Sequence, residues 1–183
     1  MRTFLIGGAR SGKSSLAARW ALERAKNVCC IVTAIAAAPG AAPDAEMAAR
    51  IAAHRKERPP HWRLREEPVH LGVAIREESD SDALLLVDCL TLWTANCLWP
   101  ALAESPDVAG WRRESQQLTD ALRGCRANVI LVSNEVGTGI VPDNAAARMF
   151  RDEQGWINQQ VAAECDEVFV VTAGLPLRLK GSR

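Results

Sequence analysis

The sequence predicts an α/β fold, a mostly parallel sheet flanked by helices and built around a phosphate-binding loop. Three observations predict it. Apolar runs too short for helices alternate with helical patterns along the chain. Those runs are continuous rather than alternating, as strands covered on both faces require. The first run leads directly into "GGARSGKS", Gly7 to Ser14, which fits G-x-x-x-x-G-K-[ST], and a helical pattern follows it.

The elements follow in order. "TFLI" (3–6) reads as the first strand, and Ser14–Ala25, rich in Ala, Leu, Arg and Glu, as the first helix. "VCCIV" (28–32) is the second strand. "AAAPGAAP" (36–43) reads as a small loop, followed by a helix over Asp44–Arg55 with Asp44 as its N-cap. "ALLLV" (83–87) is the next strand, and residues 99–110 read as an exposed loop before a helix over Trp111–Arg123. "NVILVS" (128–133) precedes a long helix over Asp143–Glu164, opened by Pro142 and Asp143 and weakened at Gly155. "EVFVVT" (167–172) closes the set.

The length of 183 residues suits one domain, 1–183, with a substantial core. Lys+Arg and Asp+Glu both number 22, so zero net charge argues against bulk electrostatic binding to nucleic acid. No apolar run approaches the ~20 residues of a membrane span. The N-terminus is too glycine-rich for a signal peptide, which leads to the expectation of a cytoplasmic protein. None of the six cysteines forms a C-x-x-C pair; they read as small buried hydrophobes in a reducing compartment. The six tryptophans read mainly as core or helix packing.

The chemistry of the Gly7–Ser14 segment is specific. Its glycines let backbone N–H groups of Gly7, Gly8, Ala9, Arg10, Ser11 and Gly12 turn toward phosphate oxygens. The following helix aims its positive end at the same point. Lys13 can reach β and γ oxygens, and the Ser14 hydroxyl can bind Mg²⁺. Asp88, directly after a strand, supplies a second metal-side acid; the alternative is a strand-end cap. The next residue is Cys89, where many P-loop motors carry a water-activating Glu. That favours transfer to an organic acceptor over hydrolysis, although Glu135 could substitute.

"RIAAHRKERPPHWRLREE" (50–67) holds five Arg, one Lys and two His. On a helix, His54 falls beside Arg50 and Ile51, on the side of Met47. Spacing alone favours a structural histidine there; Arg55, Lys56, Arg58, Arg63 and Arg65 would ordinarily form a solvated face, but in a P-loop protein a movable basic helix could close over a triphosphate. His61 and His70 read as structural.

Five segments carry a wider likeness: "GGARSGKS", "DAEMAARIAAHRKERPPHW", "LLLVDCLTLWTAN", "VSNEVGTGIVPDNAAARMFRDEQGWINQQVA" and "VTAGLPLRLKG". In these the chain resembles the bifunctional adenosylcobinamide kinase / adenosylcobinamide-phosphate guanylyltransferase family of cobalamin biosynthesis, over nearly its whole length. It departs from the family pattern in the longer alanine-rich loop at 36–43. The resemblance implies a RecA-like sheet, a homotrimer, a corrinoid substrate, and ATP and GTP as substrates with Mg²⁺. It implies that His54 is the nucleophile that takes up GMP, a role open to a neutral imidazole. It also implies that Thr33, Ala34, Arg55, Lys56, Glu57, Arg58, Glu66 and Asp88 border the nucleotide. Glu66 could accept the guanine N1–H and N2 donors, or else pair with Arg63 or Arg65. Two other readings stay open: a P-loop small-molecule kinase without nucleotidyl transfer, and a RecA-like nucleotide-switch module. The missing Glu after Asp88 and the absence of an N-K-x-D motif weigh against the second.

Overall fold

Continuous apolar runs demand cover on both faces, and the chain meets that demand with one seven-stranded sheet. The structure, a computed structural model, describes residues 1–35, 45–80, 82–100 and 105–181, with only the helical backbone at Glu46, Met47, Arg50, His54, Lys56 and Glu57. In chain order the elements are β1 (Arg2–Gly7), α1 (Lys13–Arg24), β2 (Val28–Val32), α2 (Ala45–Glu57), β3 (Arg63–Glu66), α3 (Leu71–Glu78) and β4 (Leu84–Asp88). They continue with α4 (Leu90–Leu98), α5 (Val108–Gly124), β5 (Val129–Asn134), α6 (Ala145–Glu164), β6 (Glu167–Thr172) and β7 (Leu175–Lys180).

The strand order is β3-β2-β4-β5-β1-β6-β7, parallel except for the antiparallel β6–β7 pair. Alternate residues of each strand feed two separate cores, as the two-residue strand period dictates. Phe4, Ile31, Leu85, Val87 and Leu131 join Trp93, Trp111 and residues of α3–α6 on one face. Leu5, Cys30, Leu86, Ile130 and Val132 join Leu16, Ala17 and Ala21 of α1 on the other.

All five expected strands form, within a residue or two of the expected bounds. Four elements go beyond the expectation. β3 arises within the basic stretch, where Arg63 and Arg65 point to one face and are held by acids at the end of α3. α3 presents Leu71, Ala74 and Ile75 at helical spacing to the core. α4 starts two residues after the end of β4, and β7 closes a hairpin. The expected loop at 99–110 is partly helix, since α5 begins at Val108 after its cap Asp107, whose carboxylate accepts from Gly110 N at 2.8 Å. Residues 101–104, the loop at 36–43 and the expected cap Asp44 lie outside the described residues. α6 is capped by Asn144 rather than opened at Asp143, and it runs unbroken through Gly155. Nothing would crowd a Cβ at Gly155, so the helix tolerates the glycine at only the usual propensity cost.

Trp62, Trp93 and Trp111 are buried, with the last two rings 5.1 Å apart, while Trp156 is exposed. Cys29, Cys30, Cys97 and Cys165 are free and buried. Burial pushes the thiols of Cys30 and Cys165 up to about 12, which makes them inert as nucleophiles.

Candidate functional site

A parallel sheet places its ligand site beyond the carboxyl ends of its strands, and here residues at the ends of β2, β3, β4 and β5 and the loop after β1 line one cleft. Gly7 ends β1, and no larger residue fits, because a Cβ would lie 2.4 Å from the Val171 carbonyl oxygen. Gly12, at φ 91°, turns the chain into α1. α1 has no side-chain cap and no acid in its first turn, so its leading N–H groups stay open to an anion. The β6–β7 turn supports the loop from behind: Gly174 N donates to Ser11 O at 2.8 Å.

The cleft has a volume of about 600 Å³, within the usual range for small-molecule sites. Ala9, Arg10, Ser11, Gly12, Lys13 and Ser14 form its floor. The Lys13 ammonium is buried and donates to the Gly8 carbonyl at 3.0 Å. Burial holds its pKa below the ordinary lysine value, against the opposing pull of Cys89 and Asp88. A phosphate would restore the favourable charge balance. Ser11 Oγ is buried without a hydrogen-bond partner.

The walls come from several elements. Asp88, at the end of β4, and Glu66, at the end of β3, both line the cleft. Ile51, Arg55 and Arg58 line it from α2 and the turn after it. Arg58 Nη2 donates to Asp88 Oδ2 at 3.2 Å, with both side chains mostly buried. Arg55 pairs with Glu66. Arg63 and Arg65 instead engage Glu78 and Glu77. The positive charge of the 50–67 stretch is thus largely matched by acids, and two of its cations are turned into the cleft. The expected pairing of Glu66 with Arg63 or Arg65 gives way to Arg55, because Arg63 and Arg65 sit on the opposite face of β3.

Ala34 lines the cleft. Thr33 lies beneath it, fully buried, donating through Oγ1 to Cys89 O at 2.7 Å and accepting from Cys89 N at 3.1 Å. His54 stands on α2 one residue before Arg55 and three after Ile51. Ile51, Arg55 and Arg58 recur at helical spacing and line the cleft, and His54 belongs to the same stretch of helical backbone. Lys56 and Glu57 complete the same turn.

Glu135 does not join the site. Its carboxylate accepts from Gly137 N at 2.6 Å, within its own loop. Its neighbour Asn134 does line the cleft, as do Thr91 and Leu92 at the start of α4. Sequence reasoning passed over Asn134; the available signal was an amide closing a buried strand, one position before the acid singled out.

Mg²⁺ is not part of the structure, but the donors present suit it. Ser14 and Asp88 offer hard oxygen atoms in one cleft. Among the described residues no cluster of three or more His, Cys, Asp or Glu could hold a metal by itself. No described helix is long and apolar enough to cross a membrane.

Comparison with known proteins adds to this geometry. The family model described as cobinamide kinase / cobinamide phosphate guanyltransferase matches residues 3–179. The bifunctional adenosylcobalamin biosynthesis protein CobP of Pseudomonas aeruginosa is 45% identical over 99% of this chain and 98% of its own length. The bifunctional adenosylcobalamin biosynthesis protein CobU of Salmonella typhimurium is 40% identical over 98% of this chain and all of its own. Among solved structures, the type III secretion ATPase EscN of enteropathogenic Escherichia coli superposes with a TM-score of 0.54 at 15% identity, covering 94% of this chain and 43% of its own. A second ATPase of a type III secretion system gives 0.55 at 14% identity, over 97% and 56%. At these identities the likeness concerns the RecA-like fold alone.

Proposed function

The chain belongs to the cobinamide kinase / cobinamide phosphate guanyltransferase family, and from that premise we propose that a single domain carries out both reactions in the cleft floored by Gly7–Ser14. It is a bifunctional enzyme of adenosylcobalamin biosynthesis. The carrying observation is the meeting of the Lys13 loop with the cleft-facing turn of α2 across one 600 Å³ space.

In the first reaction the terminal phosphoryl group of ATP or GTP passes to the hydroxyl of the corrinoid side arm. The Gly7–Ser14 backbone and Lys13 position the triphosphate and offset its charge. Ser14 and Asp88 would hold Mg²⁺, which supplies electrostatic stabilisation of the transferring group when bound. Arg58, now paired with Asp88, and Arg55 stand where phosphate oxygens would come.

In the second reaction an imidazole nitrogen of His54 bonds to the α-phosphorus of GTP and pyrophosphate leaves. A phosphate oxygen of the phosphorylated corrinoid then displaces the imidazole from that phosphorus, giving adenosylcobinamide-GDP and regenerating His54. Glu66, Lys56 and Glu57 border the guanosine portion, with Glu66 accepting from guanine N1–H and N2.

Exposure of Leu175, Leu177 and Leu179 on the edge strand β7 supports a homo-oligomer, a trimer by family resemblance. The free buried thiols support a cytoplasmic setting. Incubation with α-labelled GTP and Mg²⁺, followed by peptide mapping, tests the nucleotidyl half. GMP on His54 is expected; an unlabelled protein that still phosphorylates adenosylcobinamide would leave a kinase alone.

A further inference from the structure

Four polar side chains are buried around the end of β5, and all converge on one backbone position. Gln154 and Asn158 of α6, Ser133 of β5 and Thr91 of α4 are each less than a tenth exposed. Ser133 Oγ donates to Asn158 Oδ1 at 2.7 Å. Gln154 Nε2 donates to Ser133 Oγ at 2.9 Å and to Asn158 Oδ1 at 3.0 Å. Asn158 Nδ2 then donates to Asn134 O at 3.1 Å, and Asn134 N donates to Thr91 Oγ1 at 2.8 Å. Both backbone polar groups of Asn134 are therefore held by side chains from two different helices. Each of the four side chains makes at least one hydrogen bond, with Gln154 Oε1 alone left without a partner, so the network holds this position in place.

The Asn134 carboxamide itself makes no hydrogen bond among the described residues, and it lines the cleft. Its place in the sheet is informative. β5 lies between β4, which ends in Asp88, and β1, which ends in the phosphate loop. Asn134 is in register with Gly7, while Asp88 is in register with Val132, two residues earlier. The free amide thus stands between the metal-side acid and the loop, at the outer end of the central strands.

We propose that Asn134 is a catalytic residue of the phosphoryl-transfer step, its Nδ2–H donating to an oxygen of the terminal phosphoryl group, with Thr91, Asn158, Gln154 and Ser133 as positioning residues. In that step the acceptor hydroxyl oxygen bonds to the γ-phosphorus as the β–γ bridging P–O bond breaks. The nucleoside diphosphate leaves with the bond's electron pair, and the hydroxyl proton is released to solvent. Asn134 gains and loses no proton; it supplies a fixed donor where charge is redistributed. The assignment rests on reading Gly7–Ser14 as the triphosphate cradle.

The test uses Asn134→Ala and Asn134→Asp, the second nearly identical in shape but lacking the donor. Kinase kcat with adenosylcobinamide and ATP should fall about 100-fold in both, the usual effect of losing one preorganised donor. Binding of labelled GTP by equilibrium dialysis should change less than about threefold, as for an interaction made in the transition state. Full kcat in Asn134→Asp, or a binding loss that accounts for the whole effect, overturns the assignment. Unchanged GTP binding in Lys13→Ala would instead indicate that the cradle reading has failed. Asn158→Ala should lower kcat in the wild-type background and add little in Asn134→Ala; fully additive losses would remove the positioning role.

Discussion

Arg58, just beyond α2, donates to Asp88 at the end of β4 across 3.2 Å, and both side chains are mostly buried in the cleft wall. The acid suited to a metal is therefore held by a cation from the segment that carries His54. On the proposed reading, Mg²⁺ binding to Asp88 and the position of α2 would compete for one carboxylate. Arg58→Ala should lower the Mg²⁺ concentration for half-maximal kinase rate about fivefold, equivalent to a pair worth about 1 kcal/mol. Titration of kinase rate against Mg²⁺ checks this, and an unchanged midpoint would rule the competition out.

Lys13→Ala should reduce kinase kcat/KM by about 100-fold or more. The pH dependence has a definite sign. Burial lowers the Lys13 pKa, so in the empty cleft its charge is lost at lower pH than for an ordinary lysine. Triphosphate binding should therefore weaken as pH rises on the alkaline side, and Lys13→Ala should lose that slope. Isothermal titration across pH 7 to 10, roughly the span below the free lysine value, reads it directly.

His54→Ala should abolish protein-bound GMP and guanylyl transfer while leaving kinase kcat within about threefold. Parallel loss of both rates would assign His54 a structural role instead. Quantification needs only labelled GTP and a separate kinase assay.

Gly72 packs α3 against α5 without a side chain. A Cβ there would meet the Gln117 carbonyl carbon and oxygen, each at 2.6 Å, and Leu118 N at 2.9 Å. These are backbone atoms and cannot swing aside. Gly72→Ala should cost about 1–3 kcal/mol by forcing the helices apart, seen as a lower urea midpoint. A midpoint equal to or above wild type would contradict this packing.

Asp166 accepts from Arg2 N at 2.7 Å and from Arg2 Nη2 at 3.1 Å, tying the starts of β1 and β6. Those bonds hold its pKa below the ordinary 3.8. A depressed carboxyl contributes stability that is fully present above the unfolded value and lost as pH falls through the folded one. Asp166→Asn should be less stable than wild type near neutrality and should converge with it as pH drops below that value. Thermal melts over an acid series would show the convergence, and a constant gap would refute the linkage.

Much of this architecture was legible because short continuous hydrocarbon runs admit few interpretations. "ALLLV" and "NVILVS" read as buried strands covered on both faces, and β4 and β5 are buried along nearly their whole length. The Gly7–Ser14 loop was legible for a related reason, since glycine spacing, lysine and flanking elements agree. β3 was not: three of its four residues are charged, and it is a strand only because β2 offers a hydrogen-bonding edge and α3 offers acids. α3 and α4 lacked terminal signals; neither N-cap residue, His70 or Cys89, makes a side-chain capping bond. Strand order could not be read because it depends on contacts between distant segments. In the site, Glu66, Asp88, Arg55 and Arg58 were each singled out and all line the cleft, but the pairing of Glu66 with Arg55 and of Asp88 with Arg58 was not foreseen. Asn134 was hidden because its significance lies in what holds its backbone, and that comes from α4 and α6.

The β6–β7 hairpin turns at Ala173 and Gly174, both with positive φ, and Gly174 approaches the Gly12 position closely enough that an added Cβ would lie 3.0 Å away. One arm of this hairpin is the open margin of the sheet; its tip is a buttress under the triphosphate loop. A partner whose grip on that margin strained or steadied the buttress would change nucleotide affinity, and thermodynamic reciprocity would then require nucleotide occupancy to alter the grip by an equal free energy. Were that partner a second copy of the chain, nucleotide affinity would depend on protein concentration, rising if the grip steadies the buttress and falling if it strains it.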